Sequence, residues 1–374
     1  MSKEQVLDEK YMGQALRLAR RGLGKVSPNP MVGAVIVKGG RVIARGYHKF
    51  FGGDHAEVNA LKHATEDVSE ATLYVTLEPC RHWGKTPPCT DAIIKSKIAK
   101  VVVGMLDPYP EMRGKSIELL KQHDIETVTG VLEKECRALN EVYLKYTTTG
   151  LPFVTVKFAQ TLDGRIATAK GDSRWISSPE SLKLAHKLRA RHDAILAGVN
   201  TVIKDNPELT TRLVKGRNPT RIILDSHLRV PLDAKVLTNQ EAARTLVVAT
   251  AAAPAEKLAA LQKMGIEVLL APPDAEGRVD LKQLLKMLAQ RQISSLLVEG
   301  GAATITSFLR LDLADKIIAI IAPKLMGTGT DAVGELNITD VSQALKLSFT
   351  RIYRSGEDIV VEGKINKIHN ILEY

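Results

Sequence analysis

The apolar positions in the first half of the chain follow two alternating spacings. Short continuous apolar stretches such as ATLYVTL and AKVVVGM predict buried strands, whereas HAEVNALKHAT and GKSIELLKQHDI carry apolar residues every three or four positions and predict amphipathic helices. A hairpin that turns at Gly39 and Gly40 is predicted by MVGAVIVKGGRVIARGYH. Strands that alternate with helices in this way are typical of an α/β fold.

The alternation stops at residues 147–152, TTTGLP, which have no hydrophobic period and predict a linker. It then resumes, and we expect buried strands, with helices between several of them, at PFVTVKFAQ, DAILAG, TRIILDS, TLVVAT, EVLLAP, SLLVEGG and KIIAIIAP. Residues 198–201 and 205–212 are polar and predict turns. We therefore expect two domains, residues 1–147 and 148–374, the second with a largely parallel sheet.

The composition narrows the class of protein. No apolar run approaches the roughly 18 residues of a membrane span, and the N-terminus lacks the apolar core of a signal peptide, so we expect a cytoplasmic protein. Three cysteines are too few for a disulfide scaffold in 374 residues. The net charge of +10 suits an anionic partner, and because the cations are dispersed and aromatic residues make up 4%, it favours a phosphorylated metabolite over nucleic acid.

The candidate chemistry is concentrated in two short segments, HAE and PCRHWGKTPPC. His55, Cys80 and Cys89 supply one imidazole and two thiolates, which would leave one position of a tetrahedral zinc open for water, as in catalytic zinc sites. Glu57 is placed to take a proton from that water and to return it to the leaving ammonia. The pattern predicts hydrolytic deamination of a base.

A structural zinc and an accidental pair of cysteines are the alternatives for this cluster. The preceding HAE segment, the proline before Cys80 and the strand–helix context favour catalysis. Cysteine ligands of such deaminases are usually separated by two residues, and here eight intervene. His82 in this insertion is a possible substitute ligand, but a role facing the substrate is the better interpretation for His82 and Lys85. The third cysteine, Cys136, is expected to be a buried, inert thiol.

Two further positions in the first half have a functional and a structural interpretation. Asn29 lies between Pro28 and Pro30, which would hold its amide stiffly enough to read the edge of a base. A plain turn explains the same residues equally well. His48 fits either packing at the end of a strand or contact with a phosphate.

The second half lacks the Gly-x-Gly-x-x-Gly fingerprint of dinucleotide-binding folds. Instead, Gly300 and Gly301 follow a predicted strand and precede a helix, where backbone amides can hold a phosphate. A tight strand–helix turn explains the same two glycines. Lys157 lies within an apolar strand, and a buried lysine is rare without a partner or a task, so we favour a functional role for it.

With these residues assembled, the chain resembles the bifunctional riboflavin-biosynthesis deaminase–reductase family over nearly its whole length. The first half carries the motifs PNPMVGAVIV, GYH, HAE and TLEPCRHWGKTPPCTDAI, and the eight-residue cysteine spacing is this family's own. The second half is similar to the family's reductase in VKFAQTLDGRIA, GDSRWI, LRARHDAILAG, DNPELTTR, LDS and VEGGAAT. The resemblance implies an α/β protein, with a cytidine-deaminase-like three-layer α/β/α domain followed by a dihydrofolate-reductase-like α/β domain.

The resemblance also implies two successive reactions and two cofactors. The first domain would use one Zn²⁺ to deaminate the 2-amino group of 2,5-diamino-6-(5-phosphoribosylamino)pyrimidin-4-one. The second would use NADPH to reduce the ribosyl group and give 5-amino-6-(5-phosphoribitylamino)uracil. The expected partner is this phosphorylated pyrimidine, with neither nucleic acid nor a membrane, and we expect a homo-oligomer, either a dimer or a tetramer.

Site residues are implied by position in the matching motifs. His55, Cys80 and Cys89 would bind zinc and Glu57 would shuttle the proton. The deaminase substrate would contact Asn29, His48, His82, Lys85 and Asp107. NADPH would contact Ala159, Trp175, Thr201, Asp205, Ser226, Gly301, Ala302, Ala303, Thr304, Ile305, Thr306 and Ser307. The phosphorylated sugar would be held by Ser173, Arg189, Leu209, Arg212 and Glu299, with Lys157 nearby; Lys157 or Asp205 would tune the proton that accompanies hydride transfer.

The chain departs from the family pattern at Ser116 and Asn200, where glycine is common, and at Asn206, where a second acid is common. These departures affect loop details rather than the reactions. Two other functions remain as alternatives. A nucleic-acid-editing deaminase is favoured by the positive charge but leaves the second half unexplained, and a non-catalytic second domain predicts no binding of NADPH.

Overall fold

The computed structural model describes residues 2–366, and the chain forms two compact units that divide between Leu151 and Pro152. We call them unit 1 and unit 2. No helix in the described range is long and apolar enough to cross a bilayer.

Unit 1 alternates strands and helices in the order that its hydrophobic pattern predicts. Its elements are α1 (Lys3–Ala19), β1 (Gly33–Lys38), β2 (Arg41–Tyr47), α2 (Ala56–Lys62), β3 (Thr72–Leu77), α3 (Cys89–Lys95), β4 (Lys100–Met105), α4 (Lys115–Gln122), β5 (Glu126–Thr129), α5 (Glu133–Leu139) and α6 (Glu141–Thr149). The five strands form one sheet in the order β2-β1-β3-β4-β5, in which β1 is antiparallel to β2 and β3, and β3, β4 and β5 are parallel. The predicted hairpin at Gly39 and Gly40 is confirmed, and both residues have positive φ.

Two glycines show that helices cover both faces of this sheet. A side chain at Gly33 would overlap the backbone of Ala15 in α1, and one at Gly46 would overlap the backbone of Ala60 in α2. Gly46 lies opposite Ala34, the neighbour of Gly33 on β1, so the two glycines face opposite sides of the sheet. This arrangement gives the expected three layers, helix, sheet and helix.

Unit 2 is built on a larger sheet. Its elements are β6 (Phe153–Thr161), β7 (Arg165–Thr168), α7 (Pro179–Arg191), β8 (Ala194–Gly198), α8 (Val199–Asp205), β9 (Thr220–Leu224), α9 (Lys235–Thr238), β10 (Thr245–Ala249), α10 (Ala255–Lys263), β11 (Glu267–Leu270), α11 (Leu281–Gln290), β12 (Ser295–Glu299), α12 (Ala302–Arg310), β13 (Lys316–Ala322), β14 (Gly329–Asp331), β15 (Leu347–Ser355) and β16 (Asp358–Ile365). Nine strands lie in the order β11-β10-β9-β8-β12-β6-β13-β16-β15, and β14 pairs with β7 separately.

The prediction of a largely parallel sheet in unit 2 is confirmed. The strands from β11 to β13 in this order are all parallel to their neighbours. Two antiparallel strands, β16 and β15, extend the sheet at one edge and were not predicted from the sequence.

The expected turns and linker differ from the structure at two places. Residues 198–201 and 205–212 were predicted as turns, but α8 begins at Val199, because Val199 and Val202 are buried on one side of a short helix. The predicted linker at residues 147–152 contains the end of α6. In this last turn the hydroxyls of Thr148 and Thr149 donate to the carbonyls of Leu144 and Lys145.

Candidate functional site

The three predicted metal ligands of unit 1 converge. His55 is the N-cap residue of α2, Cys80 lies just beyond the end of β3, and Cys89 is the first residue of α3. His55 Nδ1 lies 3.4 Å from Cys80 Sγ and 3.3 Å from Cys89 Sγ, and the three ligand atoms all lie within 4.8 Å of one another. One nitrogen and two sulfurs at this separation fit a tetrahedral zinc with one open position.

The lowered pKa of Cys80 also suits the binding of a metal cation. Cys80 Sγ accepts hydrogen bonds from the thiol and the backbone N–H of Cys89, and these contacts, aided by His55, lower the pKa of Cys80 to about 4 against the effect of burial. The lowered pKa favours the thiolate form of Cys80. Thiolates are the form of cysteine that binds zinc.

Glu57 lies in the first turn of α2 and is 3% exposed. Burial, and then the negative charge of Cys80, raise the pKa of Glu57 to about 7, although His55 acts in the opposite direction. A carboxyl group that titrates near neutral pH can both accept and donate a proton during a reaction.

A cavity of about 290 Å³ opens beside these residues. Its walls include His55, Glu57 and Cys80 together with every residue that the sequence predicts for substrate contact, namely Asn29, His48, His82, Lys85 and Asp107. The structure thus brings these side chains to one place, while their contacts with a substrate stay a prediction.

Asn29 and His48 form a connected pair in the cavity wall. His48 Nδ1 lies 3.0 Å from the carbonyl of Asp54 and therefore carries a proton, so its Nε2 accepts from Asn29 Nδ2 at 3.2 Å. Burial lowers the pKa of His48, which keeps the ring neutral. The backbone next to Asn29 is also held by Asn140, whose side-chain amide accepts from Met31 N at 2.8 Å and donates to Met31 O at 3.0 Å.

Phe51 and Tyr143 are among the residues of the cavity wall that were not predicted from the sequence. Lys85 Nζ lies 3.8 Å from the ring centroid of Phe51, a cation–π contact that holds the ammonium at the cavity. The Tyr143 hydroxyl lies 3.5 Å from Asp107 Oδ2. Tyr143 follows Asn140, the N-cap residue of α6, by one helical turn.

In unit 2 the predicted cofactor residues gather at the carboxyl ends of neighbouring parallel strands. Thr201 follows β8, Ser226 follows β9, the segment Gly301–Ser307 follows β12, and Ala159 lies near the end of β6. Thr201 Oγ1 accepts from Gly301 N at 3.2 Å and so joins the turns after β8 and β12. This edge is where parallel α/β sheets bind ligands.

A second pair of segments flanks the same edge. Ser173 and Trp175 lie in the loop before α7, and Arg174 between them donates from Nη2 to Asp205 O at 2.6 Å. Lys324 Nζ donates to Trp175 O at 2.8 Å. The Trp175 side chain is exposed while its backbone is tied down, which suits a ring that stacks on a ligand.

A charged cluster lies at the centre of this edge. Arg189 donates to both oxygens of Glu299, with Nε to Oε1 at 3.2 Å and Nη2 to Oε2 at 2.8 Å, and Lys157 Nζ lies 3.9 Å from Oε2. Burial alone would raise the pKa of Glu299, but Arg189 and Lys157 outweigh it and lower this pKa to about 2. Arg189, which the resemblance placed against the phosphorylated sugar, therefore makes its bidentate contact to Glu299.

The loop with Leu209 and Arg212 completes the cluster. Leu209 is buried with φ of 53°, and Arg189 Nη1 donates to Thr210 O at 3.2 Å. Arg212 N donates to His186 Nδ1 at 3.0 Å, while the side chain of Arg212 is half exposed. His186 was not predicted, although its position one turn before Arg189 on α7 places it on the same helix face.

Comparison with known proteins gives consistent matches to both units. Residues 152–361 match the family described as RibD C-terminal domain, and residues 5–105 match the cytidine and deoxycytidylate deaminase zinc-binding region. The riboflavin biosynthesis protein RibD of Aquifex aeolicus is 49% identical over 95% of this chain and 98% of its own length. The protein of the same name from Escherichia coli is 37% identical over 94% of this chain and 98% of its own length.

A solved structure matches both units at once. The diaminohydroxyphosphoribosylaminopyrimidine deaminase/5-amino-6-(5-phosphoribosylamino)uracil reductase of Thermotoga maritima is 40% identical, with a TM-score of 0.85 over 97% of this chain and 100% of that chain.

Proposed function

This chain belongs to the RibD family of riboflavin biosynthesis proteins, and from that premise we propose that unit 1 deaminates a phosphoribosylated diaminopyrimidine and unit 2 reduces the sugar of the product. The observation that carries the proposal is the cavity of unit 1, whose wall contains two of the three predicted metal ligands, His55 and Cys80, together with Glu57 and five groups suited to a pyrimidine phosphate. The deaminase is a zinc-dependent hydrolase and the reductase is an NADPH-dependent oxidoreductase.

The deamination depends on Glu57 and the donor set beside it. Zinc, when bound by His55, Cys80 and Cys89, supplies a water whose pKa is low enough for attack on the amino-bearing carbon. Glu57, with its pKa near 7, takes the proton of that water and delivers it to the departing ammonia. Because Glu57 is buried beside the ligands, the proton stays within the cavity during the transfer.

The remaining groups in the cavity orient the substrate. We assign the neutral pair Asn29 and His48 to the pyrimidine edge, since it offers an amide and an imidazole in fixed orientations. His82 and Lys85 lie in the insertion between the cysteines and suit the phosphoribosyl group, because Lys85 is a cation at the cavity wall. Asp107 accepts a hydrogen bond from the exocyclic amine that remains.

For the reductase, we propose that NADPH lies along the carboxyl edge of the sheet in unit 2. Its phosphates would meet the N-terminal end of α12, where the backbone N–H groups of Ala302 and Ala303 precede the first helical hydrogen bonds. Its other contacts would come from the rest of the segment Gly301–Ser307 and from Ala159, Trp175, Thr201, Asp205 and Ser226. NADPH, when bound, supplies the hydride.

The sugar lies against the charged cluster. Ser173, Leu209 and Arg212 hold the phosphate side, where Arg212 is the more exposed of the two predicted arginines, while Arg189 orients Glu299. Burial lowers the pKa of Lys157 although Glu299 acts in the opposite direction, so of Lys157 and Asp205 we assign Lys157 Nζ as the group that gives a proton to the ring oxygen as the ribose opens.

We also propose that the protein is cytoplasmic and homo-oligomeric, as a dimer or tetramer, with no nucleic-acid partner. The cytoplasmic assignment is supported by the three cysteines, none of which is in a disulfide. The oligomer is supported by β15, an edge strand that exposes Phe349 and Ile352.

Glu57→Gln tests the deaminase. The variant keeps the three metal ligands but has no group to carry the proton, so we expect at least a roughly 100-fold loss of ammonia release at unchanged zinc content. Reduction of the pre-deaminated substrate is expected to continue at the native rate. Glu66→Gln, which removes an exposed carboxylate paired with Arg41, is the matched control and should behave as the native protein.

Two results would contradict the assignment. Native ammonia release by Glu57→Gln would exclude Glu57 as the proton carrier. Deamination of oligonucleotides with no turnover of the free pyrimidine nucleotide would instead support the nucleic-acid-editing alternative.

A further inference from the structure

Glu78 is a buried carboxylate between the end of β3 and the metal ligand Cys80. It is 5% exposed and forms part of the wall of the deaminase cavity. Its oxygens meet three backbone N–H groups: Oε2 accepts from Asp107 N at 3.0 Å and from Gly114 N at 2.9 Å, and Oε1 accepts from Ser116 N at 3.1 Å. Hydrogen bonds from backbone N–H groups to a charged acceptor are stronger than those to a neutral one.

Two of the donors, Asp107 and Gly114, belong to the connection between β4 and α4, and the third, Ser116, lies in the first turn of α4. Gly114 is the N-cap residue of α4 and has φ of 78°, a left-handed conformation that glycine adopts without strain. With no side chain, Gly114 cannot cap the helix itself, and Glu78, just beyond the end of β3, does so instead. The carboxylate also lies at the positive end of the helix dipole, where a negative charge is favourable.

This arrangement fixes the place of Asp107 relative to the metal ligands. Glu78 holds the backbone of Asp107, and only Pro79 separates Glu78 from Cys80. The carboxylate of Asp107 is then directed by Tyr109 N, at 2.9 Å from Oδ1, and by the Tyr143 hydroxyl. A shift of the connection would move Asp107 while His55, Cys80 and Cys89 stayed in place.

We propose that Glu78 is a positioning residue of the deaminase, which sets the distance between the substrate-binding acid Asp107 and the metal ligands. The proposal rests on the proposed function, because it takes Asp107 as a substrate contact. In Glu78→Gln the new side chain has nearly the same shape as glutamate, but its amide has only one oxygen to accept hydrogen bonds from the three N–H donors. Its NH₂ group must therefore face at least one of these N–H groups, and that hydrogen bond is lost.

In the full-length, zinc-loaded protein, Glu78→Gln is expected to raise the KM of deamination by about tenfold or more and to change kcat by less than about threefold. Zinc content and the rate of the reductase reaction should stay native. Glu118→Gln, which removes a carboxylate from the exposed face of the same helix α4, is the matched control and should leave KM unchanged. An unchanged KM in Glu78→Gln would overturn the proposal.

Hydrogen exchange tests the positioning without any substrate. The peptide that contains residues 107–116 should exchange faster in Glu78→Gln than in the native protein or Glu118→Gln, since three of its amides lose a charged acceptor. Equal exchange in all three proteins would overturn the proposal whatever the kinetics show.

A double-mutant cycle with Asp107→Ala separates this proposal from the proposed function. If Glu78 acts through Asp107, the double variant should have a KM within about twofold of Asp107→Ala alone. If the increase in KM of the double variant equals the product of the increases in the two single variants, the positioning role is overturned. A native KM in Asp107→Ala would contradict the substrate contact assigned to Asp107, which is a failure of the proposed function and is visible without Glu78→Gln.

Discussion

At the level of single residues, the reductase cluster depends on His186 remaining neutral. Its Nδ1 accepts a hydrogen bond from Arg212 N, and a protonated ring has no acceptor to offer. Burial, followed by the charges of Arg189 and Arg212, lowers the pKa of His186 to about 4, although Glu299 acts in the opposite direction. The neutral ring therefore holds the loop of Arg212 at neutral pH without adding a charge to the cluster.

This predicts a specific pH dependence of stability. Because the folded pKa of about 4 lies below the ordinary value of 6.5, the contribution of His186 is complete above pH 6.5 and is lost as the pH falls towards 4. His186→Asn keeps an acceptor near Nδ1 but does not titrate in this range. The temperature of thermal unfolding of unit 2 should fall less steeply between pH 6.5 and 4 in the variant than in the native protein. Equal slopes in the two proteins would contradict the assignment.

The sequence identifies residues whose partners are close in the chain or fixed by a motif. His55, Glu57, Cys80 and Cys89 are indicated by the segments HAE and PCRHWGKTPPC and by their strand–helix context. The roles of Glu78 and His186 cannot be found in this way. Glu78 accepts from backbone N–H groups that lie 29 to 38 residues away in the sequence, and His186 accepts from one that lies 26 residues away. A backbone group has no side-chain signature in the sequence.

At the level of secondary structure, the deaminase site depends on how closely α2 approaches the β1–β2 hairpin. Gly46 on β2 faces the backbone of Ala56 and Ala60, and this contact places the start of α2, with His55 and Glu57, over the sheet. The absence of a side chain at Gly46 is what allows the helix to lie there.

Gly46→Ala should therefore damage both stability and deamination. The added methyl group would overlap backbone atoms, which cannot move aside as a flexible side chain can, so we expect a loss of about 2 kcal/mol or more in the free energy of unfolding, with reduced zinc content. The control is Gly13→Ala, in the interior of α1 with space for a methyl group, which should stabilise the protein by about 0.5–1 kcal/mol. Denaturant unfolding measures both, and equal stability of Gly46→Ala and the native protein would contradict this packing.

Helices and strands that bury a full apolar face could be predicted from the sequence, and those that bury only a few residues could not. The strands from β6 to β13 that form the parallel part of the sheet have continuous apolar sequences. In contrast, α8 has two turns with buried residues only at Val199 and Val202, and β15 lies at the sheet edge with most of its residues exposed. A short helix or an exposed edge strand leaves too few apolar positions to define a period.

At the level of the whole molecule, the chain combines two active sites whose reactions follow one another. Unit 1 provides a cavity with the proposed proton carrier Glu57 beside three residues that can hold a metal ion, and unit 2 provides a parallel sheet edge with a charged cluster. Each site alone has an ordinary alternative, a general deaminase or a ligand-binding module. Their presence on one chain of the RibD family favours a single sequence of reactions in which the product of the first is the substrate of the second.

The most direct test measures both reactions of the zinc-loaded, full-length protein at once, with the phosphoribosyl diaminopyrimidine and NADPH. We predict equal amounts of ammonia released and NADPH oxidised at completion, with ammonia appearing first, and ammonia release alone when NADPH is omitted. Oxidation of NADPH without prior release of ammonia, or no oxidation even with the pre-deaminated substrate, would contradict the two-reaction account.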